Sequence, residues 1–189
     1  MHWAEFETAA PELAQLGRTI FERDEVALIG TIRRDGSPRI SPCEPDISNG
    51  RLYFGMIWQS YKALDLLRDP RCTIHSLIRN RFGEGGELKL HGQAVEIADL
   101  AERAIYREAI FQRIGWRPDE PNFHLFAIDV HSAGSFDYDE ESRLISVWRA
   151  GEPMQKFREY ADGRKESVEP TDRAGTNAGD VPVLEPDEG

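Results

Sequence analysis

The chain has 189 residues, of which 34 are acidic and 23 basic, so its formal net charge at pH 7 is −11. This acidic balance argues against a nucleic-acid-binding or anionic-membrane-binding protein, because both kinds of binding require a basic surface. With 40% hydrophobic residues, the sequence is typical of one folded globular domain.

Three features of the sequence predict a cytoplasmic protein. No apolar run approaches the roughly 20 residues of a membrane-spanning helix. The first residues have neither the basic nor the apolar region of a signal peptide. The two cysteines, Cys43 and Cys72, are too few and too far apart for a disulfide framework, so we expect buried free thiols. The histidines do not have the spacing of metal ligands, and we expect no metal site.

The predicted elements, taken in chain order, are mainly β-strands. A helix is predicted over residues 9–23, and two hairpins follow whose turns are Asp35-Gly36 and Asn49-Gly50. The later elements are a short helix over 60–69, strands over 72–78 and 87–97, a helix over 99–114 capped by Asp99, and strands over 123–131, 135–138 and 144–149. Strands joined by tight turns predict a mainly β, α+β fold built as a closed or partly closed antiparallel barrel.

The composition divides the chain into three predicted segments. They are a helical segment over residues 1–25, a barrel domain over 26–160 and a tail over 161–189. The tail has eight acidic and three basic residues and no aromatic residue. Because such a segment cannot bury enough apolar surface to offset its ordering entropy, we expect it to be disordered.

The stretch Ser60-Tyr61-Lys62 is the most informative of the sequence. Ser60 occupies the predicted N-cap of the short helix, and Lys62 falls in its first turn. The free backbone N–H groups at a helix start carry the positive end of the helix dipole, which disfavours a lysine there unless an anion is bound. Hydroxyl, amides and ammonium would then converge on a phosphate. The alternative is a solvated lysine.

Two further basic residues are candidates for the same anion. Arg39 follows the first predicted turn, on a strand that its prolines keep partly unpaired, and an arginine there can bind a phosphate with two hydrogen bonds. The alternative for Arg39 is an edge-strand charge that prevents aggregation. Lys89, on the solvated face of the long strand, is a weaker candidate. No side chain stands out as an acid, base or nucleophile, so no catalytic residue is predicted.

Three stretches of the sequence resemble the pyridoxamine 5′-phosphate oxidase-like family of flavin-binding split barrels. They are 26–43, with an Asp-Gly-Ser-Pro turn and an Arg-Ile-Ser-Pro strand; 52–70, with Leu-Tyr-Phe-Gly and Ser-Tyr-Lys; and 88–95, with Gly92. The resemblance implies an antiparallel split barrel of six to eight strands with flanking helices. It also implies a homodimer with a cofactor between the two subunits.

The resemblance further implies FMN as the cofactor and redox chemistry on a small organic substrate. By matching position, Arg39, Ser60 and Lys62 would hold the phosphate. The other implied cofactor-binding residues are Ile40, Ser41, Pro42, Gly55, Met56, Tyr61 and Lys89. In the oxidase itself an arginine often stands where this chain has Tyr61, and its Arg/His substrate set has no match in residues 136–149. These departures argue against pyridoxamine phosphate as the substrate.

Two alternative functions remain open at the level of the sequence. One is a reductase that uses the deazaflavin coenzyme, whose longer anionic tail needs a wider basic groove; Arg79 and Arg81 are candidates to extend it. The other is a protein that binds flavin or haem without turnover.

Overall fold

The computed structural model describes residues 1–81, 83–138 and 141–168. It begins with two helices, α1 (Trp3–Ala9) and α2 (Pro11–Asp24), of which the sequence predicts only the second. Pro11 starts α2, where the N–H that proline lacks would have no helical partner. In the described residues, no helix has both the length and the apolar character needed to cross a membrane.

Ten strands and two further helices follow within the described residues. The strands are β1 (Ala27–Ile32), β2 (Pro38–Cys43), β3 (Pro45–Ser48), β4 (Arg51–Ile57), β5 (Arg71–Ser76), β6 (Glu87–Glu96), β7 (Phe123–Tyr138), β8 (Ser142–Arg149), β9 (Gln155–Tyr160) and β10 (Lys165–Ser167). Helix α3 (Tyr61–Arg68) joins β4 to β5, and α4 (Leu100–Ile114) joins β6 to β7. The side chain of Asp99 accepts a hydrogen bond from the Glu102 amide at 2.8 Å, which confirms the predicted cap of α4.

The strands form one antiparallel sheet that does not close. Its order is β10-β9-β8-β7-β6-β5-β1-β2, and β4, which also carries β3, pairs with β7. Strand β7 can hold two neighbours along one edge because its first half pairs with β4 and its second half with β8. At the opening between β2 and β4, the Cys43 thiol lies 3.5 Å from the carbonyl oxygen of Gly55. This open barrel with flanking helices confirms the predicted fold class.

The structure corrects several details of the predicted strands. The ten strands exceed the expected six to eight, and β7 is continuous where the sequence predicts two strands. Strand β10 falls inside the predicted disordered tail, so that prediction is wrong for Lys165–Ser167, which pair with β9. All three residues of β10 are exposed, so no apolar pattern marks the strand in the sequence. The rest of the predicted tail, residues 169–189, lies outside the described residues.

Two apolar clusters stabilise the barrel. The larger one fills its interior and packs α1 and α2 onto the sheet, with Trp3, Phe6, Phe54 and Trp148 among its fully buried side chains. The smaller one lies between α4 and strands β4 and β7, around Tyr106. Both cysteines are buried, as expected, and burial raises the pKa of Cys43 to about 11 and that of Cys72 to about 12.

Candidate anion site at the start of α3

Ser60 adopts the extended backbone of an N-cap residue, with φ −61° and ψ 146°, yet its side chain caps no amide of α3. Its Oγ is buried and has no hydrogen-bond partner among the described residues. The first helical hydrogen bond runs from the Leu64 amide to the Ser60 carbonyl, 3.0 Å apart, so the three preceding amides are the free donors of the helix. A buried hydroxyl left without a partner costs about 1–3 kcal/mol. Hydroxyl and amides together therefore present unsatisfied polar groups suited to an anion.

The ammonium group of Lys62 is held beside this helix end by strand β2. Its Nζ donates a hydrogen bond of 2.7 Å to the carbonyl oxygen of Pro42. An ammonium carries three donor hydrogens, so the group can donate to a further acceptor as well. The contact fixes the ammonium group between β2 and α3. The sequence predicts that Lys62 binds a phosphate at this position.

Arg39 is held beside α3 by a buried carboxylate that the sequence does not single out. Its Nε donates to Asp65 Oδ2 at 2.6 Å, and the Asp65 side chain is only 5% exposed. Thr31 and Arg68 also donate to the Asp65 carboxylate, at 3.0 and 3.2 Å. Burial by itself would raise the pKa of Asp65, but the hydrogen bonds from these three residues outweigh it and lower that pKa. Asp65 is therefore a charged anchor for the arginine.

We expect Asp65→Asn to lower the free energy of unfolding by about 1–3 kcal/mol at pH 7, because a buried charge-assisted network is lost. The pKa of Asp65 is lower in the folded protein than in the unfolded chain. The stabilisation by the Asp65 charge is therefore complete above the pKa of an aspartate in the unfolded chain, near 4. This stabilisation disappears as the pH falls through the lower pKa of Asp65 in the folded protein. Urea unfolding between pH 7 and pH 3 should therefore show the two proteins converging at the acidic end.

Asp119→Asn is the matched control for this measurement, because Asp119 is exposed. Its stability should follow that of the unmodified chain throughout the series. A constant difference between Asp65→Asn and the unmodified chain at every pH would contradict the role of the Asp65 charge.

The charges around the start of α3 suit a phosphate group. Arg39 and Lys62 carry two positive charges and Asp65 carries one negative charge. Arg68, which also donates to Asp65, lies at the other end of the helix. The Arg39 guanidinium also lies over the ring of Tyr61, with its carbon 5.2 Å from the ring centroid. The Tyr61 side chain is itself largely exposed. Asp65 and Tyr61 thus orient the guanidinium of Arg39. Its two Nη atoms form no hydrogen bond within the described residues.

The predicted ring-binding residues of β2 divide between its two faces. Ile40 and Pro42 are exposed on the outer face of the sheet, and Ser41 lies on the same face as Arg39. In register across the sheet, Ile40 pairs with Gly30, which in turn pairs with Thr73. An outer-face cleft of about 490 Å³ is lined by Leu28, Gly30, Ile40, Thr73, His75, Ser76, Leu77 and Ile78. Its mostly apolar lining and its width across three strands suit a flat aromatic ring.

Gly55 and Met56 lie inside the packing of the chain itself. A Cβ at Gly55 would meet the hydroxyl of Tyr106 at 2.2 Å, and the Met56 side chain is buried in the main core. Only their backbone could contact a ligand. Lys89 lies apart from the others: β5 and β1 separate its strand from β2, and its Nζ is 2.6 Å from Glu87. Arg79, one candidate for a wider groove, instead lies 3.7 Å from Asp24 of α2.

The rim of the site carries exposed apolar side chains that the sequence analysis does not assign to it as a group. They are Ile40, Ile57, Trp58 and Tyr61, of which Ile40 and Tyr61 are 72% and 73% exposed. Trp58, two residues before Ser60, stacks on the buried imidazole of His124, with centroids 4.4 Å apart and an interplanar angle of 8°. No periodic signal marks this rim, because its members come from β2, from β4 and the turn that follows it, and from α3.

Comparison with known proteins shows a shared fold. No protein-family profile matches the sequence, and a search of curated proteins found no match. Among solved structures, the chain is similar to a heme binding protein from Mycobacterium smegmatis, with 17% identity and a TM-score of 0.59 over 72% of this chain. It spans 57% of the length of that protein.

Two further solved structures align with this chain over almost their whole length. One is a protein related to general stress protein 26, of the pyridoxinephosphate oxidase family, from Clostridium acetobutylicum: 13% identity, TM-score 0.56, 74% of this chain and 95% of that chain. The other is a putative pyridoxamine 5′-phosphate oxidase from Listeria innocua: 18% identity, TM-score 0.53, 63% of this chain and 94% of that chain. The fold is therefore the split barrel of the pyridoxamine 5′-phosphate oxidase family, as the sequence resemblance implies.

Proposed function

We propose that this protein is an FMN-binding oxidoreductase of the pyridoxamine 5′-phosphate oxidase-like family and that it acts on a small organic substrate. The observation that carries the proposal is the buried, unpartnered Oγ of Ser60 at the start of α3. Lys62 and Arg39 flank this helix end with free donors. Together with the free amides of the helix they fit a phosphate monoester, which is the terminal group of FMN.

In this proposal each residue of the chain has a binding or orienting role. Ser60 and Lys62 hold the phosphate, and Asp65 keeps Arg39 in place through their 2.6 Å hydrogen bond. Ile40 lines the outer-face cleft and Pro42 is exposed on the same face of β2, where both would border the ring system. Ser41 lies on the opposite face of β2, with Arg39, and is proposed to contact the cofactor from that side. The bound flavin supplies the hydride chemistry, and the protein supplies position and electrostatic environment. No side chain of the site is assigned as an acid or base.

We also propose a homodimer whose subunits enclose the cofactor. The exposed rim of Ile40, Ile57, Trp58 and Tyr61 is the support for this, since clustered apolar side chains of this size mark interaction surfaces. Light scattering during gel filtration should give twice the chain mass of 21.5 kDa. A monomer at micromolar concentration would contradict the dimer. The phosphate site is tested separately, by the affinity for FMN.

The identity and the phosphate dependence of the cofactor test the function directly. The full chain, purified from cells, should carry a yellow chromophore that mass spectrometry identifies as FMN. After removal of the cofactor, calorimetry should show FMN binding at least about tenfold more tightly than riboflavin, because riboflavin lacks the phosphate and one such bond contributes about 1.5–3 kcal/mol. Equal affinities for the two compounds would overturn the proposed site.

Haem is the second candidate ligand, since one structure similar to this chain is described as a heme binding protein. His75, which lines the outer-face cleft, does not favour haem binding. Nδ1 of His75 lies 2.6 Å from the Ser76 carbonyl oxygen and Nε2 lies 3.2 Å from Glu87, so neither ring nitrogen is free for iron. An intense Soret band in the purified protein would decide for haem against FMN.

A further inference from the structure

A small cavity lies between helix α2 and the strands β7, β8 and β9, on the face of the sheet that α2 covers. Its volume is about 370 Å³, and its polar lining residues are Glu12, Ser135, Asp137, Ser146 and Lys156. Ligand pockets of proteins have volumes of about 300–1,000 Å³, so the cavity has room for a small molecule. Strands β1, β5 and β6 separate β7 from β2, so this cavity is distinct from the anion site and from the outer-face cleft.

Three buried polar side chains form one row across the strands of this cavity. Ser135 of β7 pairs with Ser146 of β8, which pairs with Lys156 of β9, so the three side chains lie on one face of the sheet. The two serines are 7% exposed and the lysine is 8% exposed. In the part of the chain that the structure describes, neither serine hydroxyl has a hydrogen-bond partner. The row therefore offers an ammonium and two hydroxyl donors to a group rich in acceptors, such as a carboxylate.

The ammonium of Lys156 is paired with the carboxylate of Glu12, in the first turn of α2. The side chain of Lys156 is only 9% exposed, whereas that of Glu12 is 52% exposed. A buried ammonium is unfavourable unless an anion accompanies it, but water can solvate a half-exposed carboxylate. Glu12 can therefore release Lys156 when another carboxylate takes its place. A paired ammonium has no lone pair to accept the proton of a serine, so the row suits binding rather than nucleophilic catalysis.

The charges of the cavity favour a ligand that carries both signs. Lys156 contributes one positive charge, while Glu12 and Asp137 contribute one negative charge each, so the cavity does not favour a simple anion. The cation lies in the buried part of the cavity, and Asp137 is exposed, as the Glu12 side chain largely is. Between them the wall is apolar and includes Leu13, Leu16 and Leu144. This distribution suits a zwitterion with an apolar side chain.

We propose that the cavity binds a free α-amino acid with an apolar side chain. The carboxylate of the ligand accepts hydrogen bonds from Lys156 and from the two serines. Its ammonium is bound by Glu12 and Asp137 at the exposed side, and its side chain packs on the leucines. One ion pair of the protein is thereby replaced by two between protein and ligand, so no buried charge loses its partner. This site goes beyond the proposed function and needs no bound flavin, because it lies on the other face of the sheet from the ring-binding cleft.

Binding of amino acids to the full chain, as purified, tests the proposal. The probes are L-alanine, L-leucine and L-phenylalanine, and at least one of them should bind at millimolar concentration in saturation-transfer NMR and calorimetry. Each is compared with the acid that lacks its amino group and with the amine that lacks its carboxyl group. For leucine these analogues are 4-methylpentanoate and 3-methylbutylamine. The amino acid should bind at least about tenfold more tightly than either analogue, because each analogue lacks one set of charge-assisted hydrogen bonds.

Two variants locate the bound amino acid in this cavity. Lys156→Met removes the ammonium and should abolish binding, and it should fold because an apolar side chain of similar length replaces one member of a buried ion pair whose other member is half exposed. Ser135→Ala/Ser146→Ala leaves the ion pair intact and should weaken binding at least about tenfold. Lys165→Met, on β10, is the matched control and should bind as the unmodified chain does. FMN affinity should be the same in all of these variants.

Three results would overturn the site. They are no binding of any of the three amino acids, equal affinities for an amino acid and its acid analogue, and binding that persists in Lys156→Met. In the first case Glu12 and Lys156 serve only to hold α2 on β9, and Lys156→Met then changes thermal stability alone. Because FMN affinity is measured on the same proteins, failure of this site and failure of the proposed function are distinguishable.

Discussion

The variant Lys62→Ala/Arg39→Ala should bind FMN roughly 100- to 10,000-fold more weakly than the unmodified chain, because two charge-assisted hydrogen bonds of roughly 1.5–3 kcal/mol each are lost. The structure supports this size of effect, since both cations are positioned by the chain before any ligand arrives. Lys62 is held by the Pro42 carbonyl oxygen and Arg39 by Asp65. Calorimetric titration of the cofactor-free variant with FMN measures the loss.

Riboflavin provides the internal control for this variant. Because riboflavin has no phosphate, its affinity should be the same for the variant and the unmodified chain. The single variant Lys62→Ala is also needed, because removing Arg39 deprives the buried Asp65 carboxylate of a partner. We expect the single variant to lose at least about tenfold in FMN affinity at unchanged thermal stability. Lys165→Ala, on β10, should behave as the unmodified chain.

Unchanged FMN affinity in the double variant would show that the start of α3 is not the phosphate site. A parallel loss of riboflavin and FMN affinity would instead indicate damage to the barrel.

Gly92→Ala should lower the free energy of unfolding by about 3 kcal/mol or more, the upper range for overpacking of a buried position. Gly92 lies in β6 at a register shift between β6 and β7. A Cβ at this position would lie 2.1 Å from the carbonyl oxygen of Asp129 and 3.0 Å from its carbonyl carbon. These are backbone atoms of the neighbouring strand, so the clash is relieved only by moving β7. Chemical unfolding monitored by tryptophan fluorescence measures the effect.

Gly134→Ala is the matched control for this substitution. Gly134 lies in β7, and its nearest contact for an added Cβ is the Ser146 carbonyl oxygen at an ordinary 3.6 Å. The loss of unfolded-state entropy on changing glycine to alanine is the same at both positions. The difference between the two variants therefore isolates the clash at Gly92. Equal stabilities of Gly92→Ala and Gly134→Ala would contradict the close approach of β6 and β7.

The start of α3 shows how far a local pattern can predict a site. Ser60 and Lys62 stand out in the sequence because the orientation of free amides at a helix end follows from a few consecutive residues. The partner of Arg39 does not stand out, since Asp65 is 26 residues away in the chain. The apolar pattern also predicts Ala63, Leu64 and Leu67 as the buried stripe of this helix. The structure confirms Ala63, but it buries Asp65 and Leu66 in place of Leu64 and Leu67, because Arg39 and Arg68 pair with the Asp65 carboxylate.

The sequence by itself determined the elements whose signals are local. The turn at Asn49-Gly50 is one: both residues have positive φ, which asparagine and glycine adopt more readily than other residues. The Asp99 cap of α4 and the N-terminus of α3 are others. Each depends on the conformation of neighbouring residues, so composition and spacing suffice to predict it.

The tertiary structure alone decided which groups meet across the fold. It joined the two predicted strands of β7 by giving each half a different neighbour, and it ordered β10 through pairing with β9. It also brought Arg33 and Arg34, between β1 and β2, into one cleft with Asp65 and Arg68 of α3. The physical reason is that strand pairing and buried ion pairs depend on contacts between residues distant in sequence, which no short-range periodicity encodes.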